Sequence, residues 1–154
     1  MEEHLHKTPL DKTKKIGDFA HLDVDRATRR GYAEAIYCES KTVEQVVAIA
    51  DGVRDAGHTT LFTRATKEQA EAIIDTLDDV FYDADAGFLA YPATPPEASG
   101  VSVLVVAAGT SDLPQAKEAL HTASYLGRST SLIVDVGVAG IHRLLSYEEE
   151  LRAA

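Results

Sequence analysis

The chain has 154 residues, of which 45% are hydrophobic, enough for one domain or for a small domain plus part of another. Its formal net charge of −10 opposes long-range attraction to nucleic acids and anionic membranes. No apolar run approaches the roughly 20 residues of a membrane-spanning helix, and the charged N-terminus lacks a signal-peptide core. The single cysteine, Cys38, cannot form an internal disulfide, which fits a reducing compartment. We therefore expect a cytoplasmic protein with neither a membrane nor a nucleic-acid partner.

The first half of the sequence predicts a tail and then an N-terminal α/β domain. Residues 1–18 are polar and lack periodicity, which is typical of a tail. Residues 19–92 predict the order β-α-β-α-β-β, with strands near Glu34 and Thr59 and a hairpin around residues 85–87. Capping-box sequences open both helices, at Thr42 to Gln45 and at Thr66 to Gln69. Strands that alternate with helices predict parallel pairing with right-handed crossovers.

A proline-rich linker, residues 93–100, marks the predicted domain boundary. Residues 101–154 then predict an incomplete parallel α/β unit of the flavodoxin or Rossmann type. Its first strand, 101–108, is nearly all apolar, as in a parallel strand covered on both faces. The elements that follow are a helix over 113–126, a strand over 131–136 and a helix from Ile141 onward. Two strands make a poor core, so we expect the chain either to borrow strands from a partner or to be shorter than the protein from which it derives, and we favour the second explanation.

A glycine-bearing loop after the first strand of this unit is a candidate phosphate site. Hydroxyl groups and the free amides of a helix start converge there, and such a terminus carries partial positive charge. The same residue types also cap helices without any ligand, and spacing alone does not separate the two explanations. Asp112 fits a ribose hydroxyl, or an acceptor that orients the loop, better than a direct phosphate contact. The candidate residues are Gly109, Thr110, Ser111 and Asp112.

A second glycine-bearing loop follows the next strand. It contains Asp135, Gly137 and Gly140, and His142 and Arg143 come within one turn of it. Ligands of open α/β sheets bind outside the carboxyl ends of the strands, so we expect both loops to face one crevice. Arg143 is suited to bidentate phosphate binding. An exposed helix start explains His142 and Arg143 equally well.

Several separated segments resemble one known family. The segment VVAAGTSDLP at 105–114 resembles the first phosphate loop of the PurE superfamily of aminoimidazole ribonucleotide carboxylases, and DVGVAGIHRLL at 135–145 resembles the LarB branch in particular. That branch also has an N-terminal domain, and its entry motif is similar to residues 19–46 and 63–64. The matching positions there are Phe19 to Asp23, Arg26, Arg30, Gly31, Glu34, Lys41, Thr42, Glu44 to Val46, Thr63 and Arg64. The resemblance covers about residues 19–145.

The resemblance implies a reaction. LarB enzymes are pyridinium-3,5-biscarboxylic acid mononucleotide synthases, which carboxylate the pyridinium ring of nicotinic acid adenine dinucleotide with carbon dioxide or bicarbonate. They also cleave the phosphoanhydride and release AMP, in biosynthesis of the nickel-pincer nucleotide cofactor. A cysteine thiolate adds to the ring during this chemistry, and it belongs to a segment later than residue 154. We therefore assign no catalytic residue, interpret Cys38 as a small strand residue, and expect this chain alone to be inactive.

The resemblance also suggests roles for basic residues near the N-terminus. Arg26, Arg30 and Lys41 lie on matching positions and would hold the adenylate phosphate or the nicotinate carboxylate. Arg64 is a further candidate for the same role, and Arg29 is a weaker one. Asp23 and Glu34 would orient these bases or hold a divalent cation such as Mg²⁺, although no cofactor is firmly implied. Ion pairs within the domain, or a solvated basic turn, explain the same residues equally well.

Two other functions remain open at this point. A PurE-like transfer of carboxylate on aminoimidazole ribonucleotide is less favoured, because His142 lies a few positions later than that family's histidine. A non-catalytic nucleotide-binding or assembly module is the other alternative. Full-length relatives resemble PurE in forming octamers, and exposed sheet edges can pair between chains. We therefore expect a homo-oligomer.

Overall fold

The computed structural model of the chain describes residues 13–154. It is a mixed α/β structure with a two-stranded hairpin, a four-stranded mixed sheet and a two-stranded parallel sheet. The strands are β1 (Thr13–Ile16), β2 (Ala20–Asp23), β3 (Glu34–Tyr37), β4 (Thr60–Thr63), β5 (Phe81–Asp83), β6 (Phe88–Tyr91), β7 (Val103–Val106) and β8 (Thr130–Ile133). The helices are α1 (Arg26–Arg30), α2 (Val43–Ala56), α3 (Lys67–Thr76), α4 (Leu113–Tyr125), α5 (Ile141–Leu145) and α6 (Glu148–Ala153).

The N-terminal hairpin was not predicted. Residues 13–16 fall in the predicted tail but form β1, which pairs antiparallel with β2. Ile16 and Leu22 are buried against α2. Helix α2 lies very close to β1 at Gly52, because a Cβ added there would lie 2.5 Å from the Cδ1 atom of Ile16. The prediction of a tail to residue 18 is therefore wrong for residues 13–16, and residues 1–12 lie outside the described part of the chain.

The four-stranded sheet has the strand order β3-β4-β6-β5. β3 and β4 are parallel, as the alternation of strands and helices predicts, whereas β6 runs antiparallel to both β4 and β5 and forms the predicted hairpin with β5. Both predicted capping boxes are confirmed. In the first, the Gln45 amide N–H donates to Thr42 Oγ1 at 3.3 Å and the Thr42 N–H donates to Gln45 Oε1 at 3.0 Å. The second repeats this exchange between Thr66 and Gln69.

Two cores lie on opposite faces of this sheet. Successive residues of β4 alternate between them, because side chains of a strand point to opposite faces. Phe62 is fully buried on the face covered by α2 and α3, and Leu61 is buried on the other face. Phe88 and Tyr125 belong to the Leu61 side. Helix α4 therefore covers the second face of the N-terminal sheet.

The parallel pair β7 and β8 forms the second unit, and α4 also packs against both of these strands. Predicted and observed boundaries agree closely for α4, whereas β8 ends at Ile133 rather than at residue 136. The predicted final helix is interrupted and forms α5 and α6. The linker is held against the end of α4, because the Tyr125 hydroxyl donates to the carbonyl oxygen of Ala93 at 2.6 Å.

Candidate functional site

The first glycine loop joins β7 to α4. Gly109 is extended, and Thr110–Asp112 form a 3₁₀ turn that leads directly into α4. The Gly109 N–H donates to Asp112 Oδ2 at 3.1 Å. Asp112 therefore occupies the loop-orienting position that was one of its two predicted roles.

The next two residues of this loop, Thr110 and Ser111, have hydrogen-bond donors at the protein surface. Thr110 and Ser111 are exposed. Within residues 13–154, neither their hydroxyl groups nor their backbone N–H groups donate to a protein acceptor. Unpaired amides at the start of a helix favour an anion. The loop thus offers hydroxyl and amide donors together at the surface.

The second glycine loop lies beside the first. The Val136 N–H donates to the Ala107 carbonyl at 3.4 Å, which continues the β7–β8 pairing into the loops. A Cβ added at Gly137 would lie 3.1 Å from the Ala108 carbonyl oxygen. Because a side chain there would crowd this oxygen, glycine permits the close approach. The two loops therefore lie side by side at the carboxyl ends of β7 and β8.

Arg143 folds back over the second loop. Its Nη1 atom lies 2.9 Å from Asp135 Oδ2, and a Cβ added at Gly140 would lie 2.9 Å from its Nε atom. Asp135 itself has a positive φ of 59°. The Arg143 side chain remains 40% exposed, so part of the guanidinium is accessible at the loop. His142 is exposed at the start of α5.

Acidic residues near the N-terminus make contacts within the first domain. Asp23 pairs with Arg29, and the hydrogen bond from this guanidinium holds the pKa of Asp23 below its usual range. The Asp23 N–H donates to Glu34 Oε2 at 2.9 Å. The described residues contain no cluster of three or more side chains that could hold a metal ion. Asp23 and Glu34 therefore brace the segment around α1.

The basic candidates occupy different places. Arg26 lies over the Tyr32 ring, 5.3 Å from its centroid, and both Arg26 and Arg30 belong to α1. Lys41 lines a separate cavity of about 300 Å³ between the hairpin and β3. Arg64 forms an ion pair with Glu118 of α4, with Nε and Oε2 2.8 Å apart.

Helix α4 lies between the first glycine loop and the region of α1 that contains Arg26 and Arg30. It begins directly after the first glycine loop and ends beside Gly127, which shares a cleft with Tyr32. Its 13 residues span about 20 Å at roughly 1.5 Å per residue. The structure thus brings the two glycine loops together, whereas Arg26 and Arg30 lie toward the other end of α4.

A polar contact between the two units was missed by sequence reasoning. Lys117 Nζ lies 3.3 Å from Asp83 Oδ1 and 2.6 Å from Asp85 Oδ2, and His121 Nε2 lies 2.8 Å from Asp83 Oδ2. The His121 ring also packs on Phe81, with centroids 4.8 Å apart. The available signal was the spacing of four residues between positions 117, 121 and 125, which places them on one face of a helix.

Cys38 has the environment of a structural residue. Its side chain is fully buried directly after β3, and its Sγ atom lies 3.5 Å from the Ile36 carbonyl oxygen. Burial raises the pKa of the Cys38 thiol to about 11. At neutral pH the thiol is protonated, which matches the sequence-based interpretation of a small strand residue.

A sequence model described as the LarB/PurE-like N-terminal domain matches residues 13–93. The chain belongs to this LarB/PurE-like family. The match starts at β1, so the unpredicted hairpin is part of the family's domain.

One curated relative extends the similarity over almost the whole chain. An uncharacterized protein from Methanocaldococcus jannaschii is 27% identical over 152 residues, which cover 94% of this chain. The chain spans 59% of the length of that relative.

Among residues 13–154, no helix is long and apolar enough to cross a membrane.

Proposed function

We propose that this chain contributes nucleotide binding to a LarB-type enzyme, which carboxylates the pyridinium ring of nicotinic acid adenine dinucleotide and releases AMP. The product would enter nickel-pincer nucleotide biosynthesis in the cytoplasm. Family membership supports the assignment. The observation that carries it is the pairing of the two glycine loops, with the unpaired donors of Thr110 and Ser111 at their surface.

Each loop would have a separate part in binding a phosphate. The amides and hydroxyls of Thr110 and Ser111 would donate to its oxygens, and α4 would add the positive end of its dipole. Asp112 would keep the loop in shape through its bond to the Gly109 N–H. Arg143 would contribute positive charge from the second loop. Neutralising phosphate charge in this way favours cleavage of a phosphoanhydride.

The nucleophilic step is not assigned to this chain. A protonated, fully buried Cys38 cannot add to a pyridinium ring, since the thiolate is the reactive form. The proposed role of residues 101–154 is therefore to bind and orient the dinucleotide, with carbon dioxide or bicarbonate as the second substrate.

Calorimetric titration with nicotinic acid adenine dinucleotide tests the proposal. We expect the unmodified chain to bind the dinucleotide more tightly than AMP or inorganic phosphate. The double variant Thr110→Ala, Ser111→Ala should bind it at least about tenfold more weakly, a loss of about 1.4 kcal/mol. Ser131→Ala removes an exposed hydroxyl from β8, away from the loop, and should leave the affinity unchanged.

Other outcomes distinguish the alternatives. Equal affinity for the dinucleotide and AMP would indicate a general nucleotide-binding module instead. Unchanged dinucleotide binding in the double variant would contradict the loop assignment. Preferential binding of aminoimidazole ribonucleotide would point to the PurE-type reaction.

We also propose that the chain self-associates through the second unit. Val106, Val134 and Val138 are exposed apolar residues in and after β7 and β8. A two-stranded sheet also leaves its edges unpaired. Sedimentation velocity should show an oligomer, and Val106→Lys should shift it toward the monomer. A monomeric unmodified chain at high concentration would contradict the proposal.

A further inference from the structure

The guanidinium of Arg143 is already paired with a carboxylate of the second glycine loop. Its Nη1 atom lies 2.9 Å from Asp135 Oδ2. Carboxylates and phosphates bind guanidinium groups through the same kind of charge-assisted hydrogen bond. Asp135 therefore makes with Arg143 the contact that a phosphate at this loop would make.

The glycines of the loop make room for Arg143 in this paired position. A Cβ added at Gly140 would lie 2.9 Å from Arg143 Nε and 3.5 Å from its Cζ atom. A Cβ added at Gly137 would lie 3.9 Å from Nη2. The guanidinium thus lies close to the backbone at both glycines. The loop itself provides a place for the guanidinium, which does not depend on the carboxylate alone.

Asp135 reaches Arg143 from an uncommon backbone conformation. Its φ of +59° is in the left-handed region, and Arg64 is the one other non-glycine residue with a positive φ among residues 13–154. This region is unfavourable for most residues other than glycine, although aspartate and asparagine adopt it more readily. Such a conformation persists where surrounding contacts hold it, often at ligand sites. The ion pair to Arg143 is one contact that holds Asp135.

The pair is also open to solvent. The Arg143 side chain is 40% exposed and the Asp135 side chain is 61% exposed. Ion pairs at this exposure contribute little to stability, because water screens them. Neither side chain forms a second ion pair within the described part of the chain. An anion of higher charge can therefore replace Asp135 at Arg143 without disrupting a buried network.

We propose that Asp135 is an internal competitor for phosphate at Arg143. It occupies the guanidinium in the free protein and is displaced when a ligand that carries phosphate groups binds. The inference rests on the proposed function, because the same two loops bind the phosphate. Since Asp135 is tethered beside Arg143, its effective concentration is high. A monoanion such as acetate offers no more charge than Asp135 and leaves the pair intact, whereas pyrophosphate replaces it.

Calorimetric titration of the 154-residue chain with inorganic pyrophosphate tests the inference. Asp135→Asn should bind pyrophosphate at least about threefold more tightly than the unmodified chain, because asparagine tolerates the positive φ and lacks the competing charge. Asp75→Asn is the matched control. Asp75 is exposed on α3, outside both glycine loops, so this variant changes the net charge equally and should leave the affinity unchanged.

A double-mutant cycle with Arg143→Gln separates competition from simple charge repulsion. In the Arg143→Gln background, Asp135→Asn should lose most of its gain in affinity, because there is no guanidinium to release. A gain that persists in full would assign the effect to repulsion between Asp135 and the ligand and would overturn the inference. Weaker pyrophosphate binding in Asp135→Asn alone would also overturn it, since Asp135 would then orient Arg143 for the ligand.

The variants of the first glycine loop separate this inference from the proposed function. Thr110→Ala with Ser111→Ala should weaken pyrophosphate binding but keep the gain from Asp135→Asn, since Arg143 belongs to the second loop. If the double variant weakens binding and Asp135→Asn changes nothing, internal competition is wrong and the loop assignment stands. The reverse pattern would support competition at Arg143 and contradict the assignment of the first loop. No saturable pyrophosphate binding in the unmodified chain and in Asp135→Asn would overturn both.

Discussion

His121 in α4 lies 2.8 Å from the carboxylate of Asp83 in β5, measured from its Nε2 atom. The contact joins the second unit to the N-terminal sheet. Asp83 also accepts a hydrogen bond from Lys117, and its side chain is only 15% exposed. A charged group held by two partners in a mostly buried position contributes more than a surface ion pair.

Replacement of Asp83 should destabilise the protein. We expect Asp83→Asn to lower the free energy of unfolding by about 1–3 kcal/mol, because two hydrogen bonds to a charged acceptor are weakened. Asp85→Asn is the matched control: Asp85 pairs with Lys117 but is 68% exposed, so its loss should stay below about 1 kcal/mol. Urea unfolding at pH 7 measures both values. Equal losses of unfolding free energy in the two variants would contradict a larger contribution from the buried Asp83.

The same residue predicts a pH dependence. Burial acts to raise the pKa of Asp83, but hydrogen bonds from His121 and Lys117 outweigh it and hold the pKa below the usual value. A carboxyl group with a lowered folded-state pKa stabilises the fold above its unfolded pKa, and this contribution disappears as the pH falls through the folded value. Stability should therefore decline below about pH 4. Asp83→Asn should show a shallower decline between pH 5 and pH 2 in the same unfolding experiment.

The Tyr125 hydroxyl fixes the linker to α4. It donates to the carbonyl oxygens of Pro92 at 3.2 Å and Ala93 at 2.6 Å. Tyr125→Phe should lower the free energy of unfolding by about 0.5–1.5 kcal/mol, since the ring stays in place and only the hydrogen bonds are lost. Tyr37→Phe, at a position that is 49% exposed, should have no measurable effect. Proteolysis within residues 93–100 should also become faster in Tyr125→Phe, and an unchanged rate would argue against this anchoring.

Glycine at position 87 meets two requirements at once. Its φ is +58°, and an added Cβ would lie 2.7 Å from the Ala65 carbonyl oxygen. Gly57 has a similar φ of +66°, but an added Cβ would meet nothing within 4 Å. Gly57→Ala should cost about 1 kcal/mol from backbone strain alone, and Gly87→Ala should cost at least about 2 kcal/mol. Thermal unfolding measures the loss of stability in both variants. Similar losses would mean that the Ala65 carbonyl moves away from the added methyl group at little cost in free energy.

The Cys38 thiol should be inert while the protein is folded. Its pKa is raised to about 11 by burial, so almost no thiolate forms at pH 8. Labelling by a disulfide reagent should be at least about a hundredfold slower in the native protein than in denaturant. Val46→Ala, which loosens the core beside Cys38, should speed native labelling. Rapid labelling of the unmodified chain would contradict its burial.

The parts of the fold that the sequence predicted carry local signals. Thr42 and Thr66 begin capping boxes, and apolar residues follow them at helical spacing. The hairpin of β1 and β2 carries no such signal, because its two buried apolar residues, Ile16 and Leu22, are surrounded by charged residues in the sequence. Its position depends on Gly52, whose contact with Ile16 is distant in sequence.

For the candidate site, the sequence predicted that the two glycine loops are neighbours but not where the arginines lie. The neighbouring glycine loops follow from parallel strands, because the carboxyl ends of such strands lie at one edge of a sheet. The position of the arginines did not follow. Arg26 and Arg30 precede β3, and their location toward the far end of α4 results from packing between two units. Sequence spacing carries no information on that packing.

Helix α4 belongs to two cores: β7 and β8 lie on one side, and Leu61, Phe88 and Ala90 meet Tyr125 on the other. The first turn of this helix leads directly from Thr110 and Ser111. Loosening the N-terminal sheet would therefore displace the donors of the glycine loop, although the loop lies outside that sheet. The family's N-terminal domain would in this way act as the rigid support that sets where the second unit presents the proposed anion-binding loops.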